Sequence, residues 1–378
     1  MHTETFTYQQ GSGWSLDAFP ELDSVRTLVF VFAAPEFRLD HQPFAELAQG
    51  FPNSKIIGCS TSGEIHGASL NDASLSVAVV RFDATELRVA SALVENPMDS
   101  YYAAEEIAEA LKGPDLRAVF VLSDGLQFNG SELVRGFNDA LGEGIVVSGG
   151  LAGDGSRFER TFVLKDGIPT EGAISAVGFY GDKIAVGHAS RGGWDKFGHE
   201  RVITSSSGNI LFELDGKPAL DVYKRYLGER AGGLPASALL FPLSVRLPYS
   251  GGKSLVRTIL AVDEPSKSMT FAGDVPEGAI AQFLYANVDR LIMGAASAAS
   301  ELGVDSDSEV LAIGISCVGR RLVLCDRTEE EIEAALEALP SHSHLVGFYS
   351  YGEISTCPQG ECDLHNQSMT LTTFQEAA

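Results

Sequence analysis

Three glycine-rich turns hold the residues best placed to do chemistry. Ile56-Ile57-Gly58-Cys59-Ser60-Thr61-Ser62-Gly63-Glu64-Ile65 is echoed near the other end of the chain by Leu345-Val346-Gly347-Phe348-Tyr349-Ser350-Tyr351-Gly352-Glu353-Ile354. Each is an apolar pair, a Gly, four residues, and Gly-Glu-Ile. Ser148-Gly149-Gly150-Leu151-Ala152-Gly153-Asp154 is a third candidate copy. Glycines such as Gly58, Gly63, Gly149, Gly153, Gly347 and Gly352 let backbone N–H groups approach an anion closely. Glu64, Asp154 and Glu353 at the rim of such turns would hold an amine. Together these groups suit an amino-acid-like ligand. The competing explanation is structural: glycines permit positive φ and close approach of strands. The sequence leaves both open.

Other constellations are weaker. Cys59 and Ser60 sit where a strand runs into a turn, a place for a nucleophile, with His66 a few residues on. A base must be near in space, which spacing cannot show. There is no Gly-x-Ser-x-Gly elbow, Walker loop or His-Glu-x-x-His, and Gly149–Gly153 opens no clear helix, so no enzyme is expected. Cys357, Cys362 and His365 have zinc-like spacing, but a structural zinc needs four ligands and no fourth lies nearby. Arg320-Arg321 is the one Arg-Arg doublet. It could pair with a ligand carboxylate, or offset Glu329, Glu330 and Glu331 at the surface.

These residues need elements to position them. Thr27–Ala33, His41–Gly50 and Lys55–Gly58 read as strand, helix and strand leading into the first turn. Ala118–Leu122, Ser131–Leu141 and Ile145–Val147 repeat the pattern. So do Val310–Ile315, Thr328–Leu339 and Leu345–Phe348, with Thr328 and Glu331 as a capping box. Such crossovers build parallel strand pairs. Residues 1–25 read as a loosely held lead-in. Leu75–Phe82 with Leu87–Val94 reads as a hairpin, 160–210 as antiparallel strands, and Ala238–Val245 as a strand. Ala279–Glu301 reads as the longest helix.

The chain has 378 residues, a formal charge of −24 and a sequence pI of about 4.6. Two domains are expected from that length. So acidic a surface repels phosphate backbones and anionic lipid, so neither nucleic acid nor membrane is an expected partner. No apolar run approaches a bilayer span of about 20 residues. The polar start is unlike a signal peptide, and five scattered cysteines suit free thiols. A cytoplasmic location is expected.

The turns resemble those of a known family. Gly58-Cys59-Ser60-Thr61-Ser62-Gly63-Glu64 is similar to the Gly-Cys-Ser-x-x-Gly-Glu turn of FIST signal-transduction proteins. Gly149-Gly150-Leu151-Ala152-Gly153-Asp154 resembles their Gly-Gly-x-Ala-Gly-Asp element. Glu213–Ala219 with Tyr223 and Leu227-Gly228 resembles the junction of the family's two domains. Gly352-Glu353-Ile354 followed by Leu364–Thr370 resembles its C-terminal signature. The resemblance implies an α/β (α+β) fold with mixed sheets flanked by helices and pseudo-repeated strand–helix–strand units. It implies an extension over 1–25, a FIST N-terminal domain over 26–219 and a FIST C-terminal domain over 220–374. It also implies a sensory domain that binds a small ligand beside a histidine kinase or a cyclic-di-GMP enzyme, with a homo-oligomer left open.

In length the chain further resembles the NosP subgroup, which binds haem and senses nitric oxide in two-component systems. Haem needs an axial ligand, most often His. His188 and His199 flank Gly192-Gly193-Trp194-Asp195-Lys196-Phe197-Gly198, whose aromatic rings could pack on a porphyrin, so His199 and then His188 are the candidates. Arg320 would meet a propionate. Cys357-Pro358 matches the minimal thiolate motif of regulatory haem. His365 and Asn366 belong to the family-like stretch, which points to a general structural or ligand role. The alternative function is a haem-free module that binds an amino-acid-like metabolite.

Overall fold

The computed structural model describes residues 1–378 except 143, 235, 248–253, 305–307, 357–359 and 378. Cys357 and Pro358 therefore lie outside the described residues. The fold is mixed α/β, as expected, and all three anticipated strand–helix–strand units are present. In each, the two strands pair in parallel: Thr27–Ala33 with Lys55–Ser60, Leu116–Ser123 with Val146–Leu151, and Val310–Cys317 with Ser343–Ser350.

Each unit also has an antiparallel strand against its first strand, and a further strand outside that. In unit one these are Ser74–Arg81 and His2–Gln9. In unit two they are Ala173–Tyr180 and Glu86–Leu93. In unit three they are Met369–Glu376 and Ile184–Arg191. Each unit's second strand is followed by a hairpin that leaves its own sheet. Glu64–His66 with Ser69–Asn71 joins the third sheet, against Ser343–Ser350. Val163–Lys165 with Ile168–Thr170 joins the first, and Gly352–Thr356 with Cys362–His365 the second. The exchange is cyclic, so three sheets are locked to one another.

The strands are apolar throughout because both faces are covered. Leu28, Phe30 and Phe32 point inward, where they meet Phe120, Phe179, Phe348 and Phe374 from the other two sheets. Val29 and Val31 point outward to the Gln42–Gly50 helix. Helices Ser100–Leu111 and Gly130–Leu141 cover the second sheet, and Val288–Ser300 and Thr328–Ala338 the third. Between Arg191 and Val288 a fourth, separate sheet is inserted with its own core.

Several local expectations are corrected. Residues 1–25 are not loose, because His2–Gln9 pairs along its whole length with Ser74–Arg81 and Phe6 packs on Trp14 and Phe19. Ser74–Arg81 and Glu86–Leu93 form no hairpin; the chain crosses to the next sheet between them. The Glu376 carboxylate pins that corner by accepting from the N–H groups of Asp83, Ala84 and Thr85. Ala173–Tyr180 and Ile184–Arg191 likewise part to different sheets. Residues 236–240 form a 3-10 turn before Pro242, and the strand is Leu243–Arg246. The long helix is really strand Ile280–Tyr285 and helix Val288–Ser300, capped by Asn287, whose side chain accepts from the Arg290 N–H. Pairing with two neighbouring strands overrides the helical spacing there.

Candidate functional site

The three signature turns meet at the centre of the three-sheet body. The residue four after each strand glycine donates its N–H to the residue two after the glycine in a neighbouring unit. Ser62 N bonds Tyr349 O at 2.7 Å, Gly153 N bonds Ser60 O at 3.0 Å, and Tyr351 N bonds Leu151 O at 3.2 Å. This closed ring follows from the cyclic exchange of hairpins.

The glycines serve that packing. A Cβ on Gly58 would lie 2.2 Å from the Val31 carbonyl oxygen. On Gly149 it would lie 1.8 Å from Val121 O, and on Gly347 1.8 Å from Gly314 O. The three positions are equivalent, and the obstacle each time is backbone. Gly63 lies against the Arg321 guanidinium, Gly153 against Ser62 and Gly352 against Leu364. Ser60 is buried too, its Oγ accepting from Phe162 N.

The three carboxylates do not stand at a rim. Glu64 accepts from the Thr61 hydroxyl and from the Ser74 N–H and hydroxyl. Glu353 repeats the arrangement with Ser350, at 2.7 Å, and the Ser368 N–H and hydroxyl, at 3.2 and 2.8 Å. Each ties its turn to the start of its unit's last strand. Burial pushes both carboxyls up to about 8, against the pull of their hydrogen bonds. Asp154 accepts from the N–H groups of Phe158, Glu159 and Arg160, and from the Tyr351 hydroxyl. An amine would have to displace these donors, so the expectation that the carboxylates face a ligand is corrected.

Arg320 is wholly buried rather than at the surface. It pairs with Glu331 and donates to the carbonyls of Gly192 and Leu291. Glu331 also accepts from Ser316 and Tyr349. The charge of Arg320 is thus met within the protein. Cys59 lies in the central core, where burial raises its thiol pKa, and His66 contacts Ser76. Among the described residues, no group of three or more His, Cys, Asp or Glu side chains could hold a metal ion.

The two histidine candidates part company. His199 is exposed on the Asp195–Ser207 strand of the inserted sheet. His188 is half-buried, with its pKa lowered by burial. It lines a cleft of about 480 Å³ with Arg191, His365 and Asn366. The hydroxyl residues Ser190, Ser254, Ser355, Thr356 and Ser368 line the same cleft.

A second cavity, of about 410 Å³, lies between the three-sheet body and the inserted sheet. The body contributes Phe128 and Asn129 beside the Gly130–Leu141 helix, Cys317 to Gly319 at the end of a central strand, and Tyr351, Leu364 and Asn366. The insert contributes Thr258, Leu260 and Phe271. Phe158, held at φ 53°, stacks on Tyr351 with ring centroids 4.5 Å apart. Buried Arg257 clamps the insert in place, bonding Leu364 O across the junction and Asp274 O in its own sheet. Burial lowers its pKa to about 10, so it stays charged at neutral pH.

Thr258 and Asn366, both among the lining residues, each carry a buried side-chain oxygen with no hydrogen-bond partner, Oγ1 and Oδ1, and Asn366 also borders the His188 cleft. Of the candidates read from sequence, only Asn366 lines this cavity. Thr258, Phe128 and Phe158 carry no motif that would single them out, since elements far apart in the chain bring them together.

Residues 27–217 match the family model described as the FIST N domain, and residues 219–356 that of the FIST C domain. An uncharacterized protein of Methanocaldococcus jannaschii is 23% identical over 366 residues, covering 86% of this chain and 69% of its own. Among solved structures, a cyanuric acid hydrolase from A. caulinodans aligns with 93% of this chain and 90% of its own, at 10% identity and a TM-score of 0.37. PurLQS from Thermotoga maritima aligns with 94% and 67%, at 9% identity and a TM-score of 0.17. Likenesses that low carry no argument about fold or activity.

Proposed function

The chain belongs to the FIST family, whose domains serve sensory roles in signal transduction, and from that premise we propose that it is a haem-free sensor of a small organic molecule. The ligand occupies the cavity between the three-sheet body and the inserted sheet. The carrying observation is the pair of buried, unpartnered oxygens on Thr258 and Asn366, residues of a lining that combines Phe128, Phe158, Phe271 and Tyr351 with the amides of Asn129 and Asn209. Buried polar atoms without partners are uncommon in folded proteins, and a ligand that these side chains turn to meet would give each a partner. The output passes to a separate histidine kinase or cyclic-di-GMP enzyme. Such signalling requires two arrangements of the protein, and ligand shifts their balance only as far as it binds one better than the other.

The test is a thermal-shift screen of small molecules on the wild type and on Leu260→Trp. Leu260 is 44% exposed and lines the cavity, so the ring can fill the space without entering the core. Ligands at 100 times their Kd should stabilise the wild type by about 2.7 kcal/mol and leave the variant unmoved. Ligands that shift both proteins equally would refute the site.

Haem with nitric-oxide sensing is a second reading, favoured by His188. Its neutral imidazole stands in a cleft beside Arg191, and one imidazole fits axial ligation. The five hydroxyl residues there, with no Phe, Tyr or Trp among the described lining residues, fit a porphyrin face poorly. That mismatch is why the haem-free reading leads. A Soret band that responds to nitric oxide and disappears in His188→Ala would reverse the order.

A further inference from the structure

We infer that the cavity selects an uncharged, flat molecule with at least one hydrogen-bond donor, a conclusion that rests on the ligand-site reading above. No Asp, Glu, Lys, Arg or His is among the described residues that line it, although the chain has 51 acidic and 27 basic residues. Buried Arg257, which clamps the insert, is directed to carbonyl oxygens and is not among the lining residues. A carboxylate or ammonium entering would lose its water and meet no counter-charge, which strongly disfavours it. The amino-acid-like ligand considered from sequence would bury two such charges.

The donor requirement comes from Asn366. Its Nδ2 donates to the His365 carbonyl at 3.0 Å, which fixes the orientation of the amide and leaves Oδ1 as a bare acceptor. The Thr258 hydroxyl can give or take a hydrogen bond. Flatness comes from the ring faces of Phe128, Phe158, Phe271 and Tyr351, of which Phe158 and Tyr351 stack on each other at 10° and together offer one flat outer face. A volume of about 410 Å³ is at the small end of ligand pockets.

Four probes of one shape separate these claims: benzamide, N,N-dimethylbenzamide, benzoate and benzylammonium. Each is titrated by ligand-observed NMR into the full chain, Leu260→Trp and Leu239→Trp. Benzamide should bind, and either tryptophan should abolish its binding. Benzoate and benzylammonium should bind at least tenfold more weakly. The dimethyl amide, which has no donor, should be weaker by a similar factor. Charged probes that bind as well as benzamide, and are blocked by tryptophan, would overturn the uncharged class alone. Equal binding of the two amides would overturn the donor requirement. Failure of all four, or binding that survives both tryptophans, would overturn the cavity reading itself.

Discussion

Gly347→Ala and Gly314→Ala are the same chemical change at two residues paired in register on adjacent central strands, yet they should behave very differently. A Cβ on Gly347 would stand 1.8 Å from the Gly314 carbonyl oxygen and 2.7 Å from its carbon. Both are backbone atoms in a parallel ladder, so relief requires the two strands to move apart. A Cβ on Gly314 meets only the ends of Leu345, Met369 and Leu371, at 3.3, 3.3 and 3.5 Å. Those ends can turn aside. Overpacking costs about 1–3 kcal/mol or more, and a rigid backbone obstacle places Gly347→Ala at about 3 kcal/mol. At about 2–4 °C per kcal/mol for a chain of this size, Tm should fall by roughly 6–12 °C. Gly314→Ala should stay within about 1 kcal/mol, since losing glycine's flexibility in a strand offsets the crowding. Differential scanning calorimetry of both variants decides the matter. If Gly347→Ala melts with the wild type but loses ligand, the signature glycines serve binding and the packing argument is wrong. Gly149→Ala, facing Val121 O at the same 1.8 Å, should repeat the Gly347 result.

The buried carboxyls Glu64 and Glu353 predict a pH dependence. Each rises from an ordinary 4.5 to about 8, so between those values the unfolded chain gives up protons that the native state keeps. Their contribution is therefore fully present below about pH 4.5 and is lost as pH rises through about 8, at up to about 1.4 kcal/mol per pH unit for each group. Urea melts of Glu64→Gln and Glu353→Gln at pH 5, 6.5 and 8 should show a flatter slope than the wild type; an unchanged slope refutes the assignment. Arg320→Met strands Glu331 in the core and should cost about 3–5 kcal/mol by urea denaturation. A stable Arg320→Met protein with weakened ligand binding would return Arg320 to the ligand site.

The three parallel units were legible in sequence because each is local. Strand, helix and strand lie within about 40 residues, and apolar periodicity reports which face is covered. The Gly-Glu-Ile signature was legible too, but its meaning was not. Its partners are Ser74 and Ser368, and the obstacles to Gly58 and Gly347 are carbonyls of Val31 and Gly314. Nothing in spacing alone distinguishes a glycine that admits a ligand from one that admits a neighbouring strand. Misreadings fell where long-range pairing competes with local preference. Residues 280–285 have helical spacing but serve as a strand between two others, and residues 2–9 find their partner some 70 residues away.

By itself, the amino-acid sequence determined the family, the α/β class, the repeated units and the acidic balance, because these depend on residue type and short-range order. Only tertiary structure decided that each hairpin crosses to another unit's sheet, as Glu64–His66 does against Val346–Phe348. It alone turned the signature carboxylates into ties and set Thr258 and Asn366, 108 positions apart, on one uncharged cavity. The reason is physical: backbone pairing and desolvation act between groups near in space, and residue order does not record that proximity.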